Sequence, residues 1–252
     1  MSNQYFPHEK LDVYPKSLAF VRKAASLVDQ WPASASVRDQ LDRAGESHIT
    51  NLARAVQANR TAKGIYYVEC SLGSVLECAA CLDVGVVKHL LGDAEMRSGK
   101  EQLQVIARME VGLRRSWLPA VHEEVAVPYG SHSGYYFAHE SLHVYQRAVQ
   151  LFEELEAKFL ADGNGRPRHL RRIDELATSL VLNIAEGNGR FSHLDHGKFI
   201  DIAEVAGIKL AAYLDLTEIS STSDIHPSKR LLREVMAMLA GLKGYLDDEG
   251  KD

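Results

Sequence analysis

Apolar residues recur at spacings of three and four along most of the chain, and strand-like alternation is scarce. Leu142, Tyr145, Ala148, Val149, Phe152 and Leu155 lay one apolar stripe along a helix. Gly163, Asn164 and Gly165 break that pattern, and Pro167 suits the first turn of a second helix. The second helix runs to about residue 185, with Leu170, Ile173, Leu176, Leu180 and Ile184 on one face. Gly187 and Gly189 are expected to stop it. Ser192 or Asp195 is expected to cap a third helix carrying Phe199, Ile202, Ala203, Ala206, Leu210, Tyr213 and Leu214. A fourth helix holds Leu231, Leu232, Val235, Met238, Leu239 and Leu242. The first half follows the same plan, with helices predicted over residues 11–31, 36–58, 62–91 and 95–117. Four amphipathic helices joined by short loops close into an up-and-down bundle. The expected fold is therefore all-α, two tandem up-and-down four-helix bundles.

The two halves are copies of one unit. FPHEKLDVY, from Phe6 to Tyr14, returns as FAHESLHVY, from Phe137 to Tyr145, 131 positions later. Beyond a one-residue slip, Leu41-Asp42 matches Ile173-Asp174 at a shift of 132. Asn51-Leu52-Ala53 matches Asn183-Ile184-Ala185, and Leu82-Asp83 matches Leu214-Asp215. A repeat this long can bury its own core, which points to duplication of a whole domain and not to a solenoid. The expected boundaries are 1–117 for the first bundle, 118–136 for a linker containing Pro119, Pro128, Gly130 and Gly134, and 137–252 for the second bundle.

Composition narrows the function. The net charge is −5, but it is unevenly placed. Residues 1–117 hold 15 Lys+Arg against 13 Asp+Glu, a net of +2, and residues 118–252 hold 14 against 21, a net of −7. A polyanion would therefore need a local basic patch. Three cysteines do not make a disulfide framework. No run approaches the roughly 18 apolar residues of a membrane span, so no membrane partner is expected and the cytoplasm is the expected location.

The second half has a recognisable outline. The basic stretch Arg168-His169-Leu170-Arg171-Arg172 precedes Asn183-Ile184-Ala185-Glu186-Gly187-Asn188-Gly189-Arg190, and Lys198-Phe199-Ile200-Asp201-Ile202-Ala203 follows. This resembles the four-helix-bundle family of the 23S rRNA intervening-sequence protein, which is similar to the accessory variability proteins of diversity-generating retroelements. The first half looks like a diverged member: Arg54-Ala55 stands where the second half has Glu186-Gly187, and the paired arginines are missing. The resemblance implies a non-enzymatic, oligomer-forming bundle. It also implies an RNA or ribonucleoprotein partner, a reverse transcriptase if the protein is retroelement-associated. Family members look like fivefold barrels. A fused pair closes more easily as a pseudo-dimer or as a ring with an even number of bundles.

The candidate contact surface is Arg166, Arg168, Arg171, Arg172 and Arg190. Arg168 and Arg172 are four apart and share a helix face that could grip an RNA backbone or an acidic partner. The competing reading is a solvated face partly neutralised by Asp174 and Glu175. Arginines at a helix N-terminus also run against the dipole. Asn183, Glu186, Gly187 and Gly189 are read as a structural motif, with Asn183 and Glu186 bonding to neighbouring backbone or Glu186 pairing with an arginine. Cys70, Cys78 and Cys81 are read as core residues. His139 with His143, and His193 with His196, have metal-compatible spacing but lack the facing E-x-x-H pairs of a di-iron bundle. G-x-S-x-G, Walker and dinucleotide-binding motifs are absent. No catalytic residue, cofactor or metal is expected, and self-association or intramolecular pairing of the bundles is.

Overall fold

Eight α-helices follow from these patterns in a computed structural model that describes residues 6–118, 134–160, 167–220 and 224–249. They are α1 (Val13–Val28), α2 (Ser36–Gln57), α3 (Ala62–Val87), α4 (Asp93–Trp117), α5 (His143–Leu155), α6 (Arg168–Asn188), α7 (His193–Ser220) and α8 (His226–Glu249). The described residues contain no strand. Short 3-10 turns, Pro7–Lys10 and Ala138–Ser141, lead into α1 and α5. Each helix of α1–α4 packs on the next and α1 closes on α4; α5–α8 repeat this arrangement. The fold is thus all-α and built of up-and-down bundles. Most of the expected linker and Arg166 lie outside the described residues.

Local chemistry sets the helix ends. Thr61 caps α3 by accepting from the Gly64 backbone N–H at 3.1 Å. Ser192 does the same for α7, accepting from Asp195 N–H at 3.4 Å. Of the two glycines expected to stop α6, Gly189 does so and Gly187 acts otherwise. Gly187 lies inside the helix, where a Cβ would come within 3.0 Å of His196 Cδ2 and Phe199 Cβ. Its role is close approach of α6 to α7. Gly189 closes the helix with φ −80°, a conformation open to any residue. At the end of α5 the chain widens into a π-helical turn, Glu156–Leu160, which the apolar spacing did not predict.

The two bundles meet in a seam. α3 packs on α5 and α6, and α2 packs on α6. With bundle mates on one side and the seam on the other, α3 is apolar around most of its surface; Leu72, Leu76, Ala79, Ala80 and Cys81 are all 0% exposed. By length and composition it would pass for a membrane span, with a mean hydropathy of 1.7 in its most apolar stretch. This departs from the expectation that no segment approaches that length, and burial on both sides is a sufficient cause. Its repeat counterpart α7 is apolar too, yet Ile202, Val205 and Ile208 are 47%, 48% and 63% exposed.

Candidate functional site

Three polar clusters hold the seam. Lys88, just beyond α3, is 8% exposed. Its Nζ lies 2.8 Å from Asp174 Oδ1 and 3.1 Å from Glu156 Oε2, and 5.4 Å from the Phe152 ring centre. Glu156 stands where α5 ends and the π-helical turn begins. Asp174 Oδ2 also accepts from Ser36 N–H at 3.2 Å, while Ser36 and Thr178 hydroxyls are 2.6 Å apart. Asp174 is therefore buried in the seam and does not serve as a surface partner for the arginines.

The second cluster centres on Lys100 of α4. Its Nζ is 2.5 Å from Asp83 Oδ1 and 2.8 Å from Glu140 Oε1. Burial opposes its charge, but Asp83 and Glu140 outweigh that and raise its pKa. Tyr145 OH donates to Asp83 Oδ2 at 2.8 Å, and Glu140 Oε2 accepts from Tyr136 N–H at 2.8 Å. Asp83, His139 and Glu140 are close enough to share a metal ion, but the Lys100 ammonium already joins the two carboxylates. His139 is 0% exposed, and burial and then Lys100 hold its pKa well below the usual histidine range.

The third cluster is built on Arg190. It pairs with Glu186, donates to Cys70 Sγ at 3.7 Å and lies 4.5 Å over the Phe199 ring. A Cβ on Gly73 of α3 would stand 2.9 Å from its Nη2, so the glycine makes room for the guanidinium. Asn183 Nδ2 donates to Ser179 O at 2.7 Å within α6.

The arginine surface expected from the sequence is therefore divided. α6 is one continuous helix, which at 1.5 Å per residue sets Arg168 and Arg190 about 30 Å apart. Arg168, Arg171 and Arg172 are exposed at one end, where Arg172 pairs with Glu175. Arg171 lines a groove between the starts of α2 and α6, together with Asp39, Asp42, Arg43 and Asp174. Arg190 belongs to the seam at the other end. Lys88 and Lys100 were missed by sequence reasoning. A signal existed for Lys100, since it falls on the apolar stripe of α4, three residues before Leu103 and seven before Ala107.

The first bundle also encloses a polar trio. Ser71 Oγ lies 2.8 Å from His48 Nδ1 and donates to Glu110 Oε1 at 2.8 Å. All three are at most 1% exposed. Burial pushes Glu110 up to about 8, against the Ser71 hydrogen bond, and pushes His48 down to about 4. Near pH 6 both are neutral. The serine and the carboxylate sit on the same side of the imidazole, and Nε2 has no hydrogen-bond partner among the described residues. A relay from acid through imidazole to nucleophile needs the two on opposite nitrogens. Cys78 and Cys81 are buried, which raises their thiol pKa values. His196 is lowered to about 4 by burial and then by His193.

The repeated motif folds the same way twice. In the first bundle the Phe6 and His8 rings stack at 5.8 Å, and His8 meets Tyr14 edge-on at 4.8 Å. In the second, Phe137 and His139 stack at 5.8 Å, and His139 meets Tyr145 at 4.7 Å. Their surroundings differ: Phe137 is 0% exposed, whereas Phe6 is 67% exposed.

Residues 9–112 match the model of the family described as 23S rRNA-intervening sequence protein. The match bears out the family resemblance drawn from the sequence. It falls on α1–α4, the bundle whose motif residues had marked it as the diverged one. No curated protein and no solved structure matches the chain.

Proposed function

We propose that this protein is a non-catalytic interaction scaffold that works through the outer faces of its helices. The observation that carries this reading is the apolar face of α7, where Ile202, Val205 and Ile208 stay exposed on a helix whose counterpart is buried on both sides. The buried polar groups support it as well. Those of the seam tie the bundles together, and Ser71, His48 and Glu110 are each at most 1% exposed inside a core. An active-site-directed fluorophosphonate is expected to leave Ser71 unlabelled in the native protein. Stoichiometric labelling of Ser71 would sink the non-catalytic reading.

A second reading is an RNA-associated accessory factor. The family description of the first bundle and the exposed Arg168 and Arg171 favour it. The geometry supports it less well than protein association, because Arg190 is held in the seam and Arg172 is paired with Glu175.

A further inference from the structure

The two bundles are copies, so a charge that one copy carries and the other reverses is not required by the fold. Such reversals gather at one end of the first bundle. At the shift of 132, Arg54 matches Glu186, Lys63 matches Asp195 and Arg115 matches Asp247. From Ser47 to Val68 the first copy has no Asp or Glu. In the second, Glu186 is paired with Arg190 and Asp195 with Lys198. We propose that this end of the first bundle, where α2 turns into α3 and α4 finishes, is a docking surface for an acidic segment of a different protein. This rests on the interaction-scaffold reading above and adds the chemistry of a partner.

Helix packing brings these cations together. The Arg54 guanidinium, near the end of α2, lies 4.0 Å from the Tyr67 ring centre and donates to the Tyr67 hydroxyl at 2.5 Å. Lys63 Nζ lies 6.0 Å from the same ring centre. Arg114, near the end of α4, donates to Glu69 Oε1 at 2.7 Å and stands 3.8 Å over the Phe191 ring. Tyr67 and Glu69 are about 3 Å apart along the axis of α3, so both groups converge on the first turns of that helix. The turn from α2 into α3 is tight: a Cβ on Gly64 would stand 2.3 Å from Ala58 O. Within that turn Arg60 takes φ +56°, the left-handed region that favours glycine. Arg54, Arg60, Lys63 and Arg115 are exposed and have no carboxylate partner among the described residues. The nearby carboxylate of Glu69 is already taken by Arg114.

A carboxylate-rich segment fits these groups better than a nucleic acid does. Arg114 and Glu69 already form the charge-assisted pair that further carboxylates would repeat at Arg60, Lys63 and Arg115. Guanidiniums cover the Tyr67 and Phe191 rings, which closes those faces to the base stacking that holds single strands. The net charge of the whole molecule is −5. A long polyanion is repelled wherever it extends beyond the basic end. A short acidic segment stays within about one Debye length of the cations, roughly 8–10 Å, and feels only their field. Exposed charges of this kind act mainly on encounter rate and partner choice.

The test is fluorescence anisotropy of a fluorescein-labelled glutamate-rich peptide titrated with the full-length protein at low and at moderate salt. The parent is expected to bind it, more weakly as salt rises, and to ignore a lysine-rich peptide of the same length. Lys63→Asp with Arg115→Asp installs the residues that the second bundle carries at the matched positions. Both sites are exposed, so this variant is expected to fold, which circular dichroism checks, and to bind the glutamate peptide about tenfold more weakly or less. Arg168→Glu with Arg171→Glu makes the same charge change at the other end of the molecule and is expected to leave binding unchanged. Equal losses in the two variants would reveal a diffuse field with no site, and overturn the proposal. So would a parent that does not bind the glutamate peptide. A single-stranded RNA that binds more tightly than the peptide, displaces it and is itself lost with Lys63→Asp and Arg115→Asp would give the surface to nucleic acid and overturn the proposal as well. Failure on any of these counts leaves the non-catalytic reading standing, because labelling of Ser71 tests that separately.

Discussion

Glu110 is a carboxyl whose proton is held by its surroundings. Its pKa of about 8 stands above the ordinary 4.5 because burial penalises the charged form. Below pH 4.5 it is protonated in both folded and unfolded chains. Between pH 4.5 and about 8 the unfolded chain releases the proton and the native chain keeps it. Native stability therefore falls as pH rises through that window, by up to about 1.4 kcal/mol per pH unit from this group. Glu110→Gln keeps an acceptor for Ser71 and removes the titration. Urea melts should show the variant gaining on the parent between pH 5 and 8, with no such gain at pH 4. A stability difference of the same size at every pH would contradict this. His48, lowered to about 4, acts in the opposite sense: the native state loses stability as pH falls from 6.5 towards 4. At this scale the sequence was a partial guide. It offered an arginine as one of two alternative partners for Glu186, but the pairing of Lys88 with Asp174 and Glu156 joins residues 86 and 68 positions apart. Helical periodicity carries no signal of such distant partners.

Helices are where the sequence was most informative, because an apolar stripe and a cap are local features. α2 was expected over residues 36–58 and spans Ser36–Gln57, and α4 ends at Trp117 as expected. Gly187 of α6 was misjudged because glycine at a helix end and glycine at a helix crossing look alike along a sequence. Only the approach of His196 and Phe199 tells them apart. The π-helical turn at Glu156–Leu160 was not visible either, because apolar spacing at three and four does not distinguish one wider turn from the helix before it. The seam between elements gives a sharp prediction. Lys88→Met leaves Asp174 and Glu156 buried beside each other without their cation, at a cost of about 3–5 kcal/mol. Adding Glu156→Gln and Asp174→Asn should recover most of that loss. Chemical denaturation of the three proteins checks this, and a loss under 1 kcal/mol in the single variant would show that the seam is not held there.

For the whole molecule, the repeat made the plan of two similar bundles legible, but not how they meet. Their docking depends on which copy of each face is covered, and copies of one sequence do not encode that singly. The arginines illustrate the cost. Five residues close in sequence or in motif looked like one basic surface, but the length of α6 separates Arg190 from the rest. Of the described members of that set, Arg168 and Arg171 are exposed and outside an ion pair, so about two arginines at this end of α6 are placed to meet phosphate. The expected salt dependence is shallow, with log K falling by no more than about 2 per decade of salt. Filter binding of a structured RNA across a salt series measures this. A slope steeper than about −4, abolished by Arg168→Glu with Arg171→Glu, would favour the RNA-associated reading over the scaffold.

The burial of α3 on both sides also has a consequence during synthesis. Its bundle mates are complete once α4 ends at Trp117, but the helices that cover its other face reach only to Asn188. Roughly seventy further residues must leave the ribosome before that face is covered. At about 5–20 residues per second the nascent chain presents an apolar helix flank for several seconds. Chaperones have that interval to bind it, and an arrest between the two bundles would leave a folded but adhesive half.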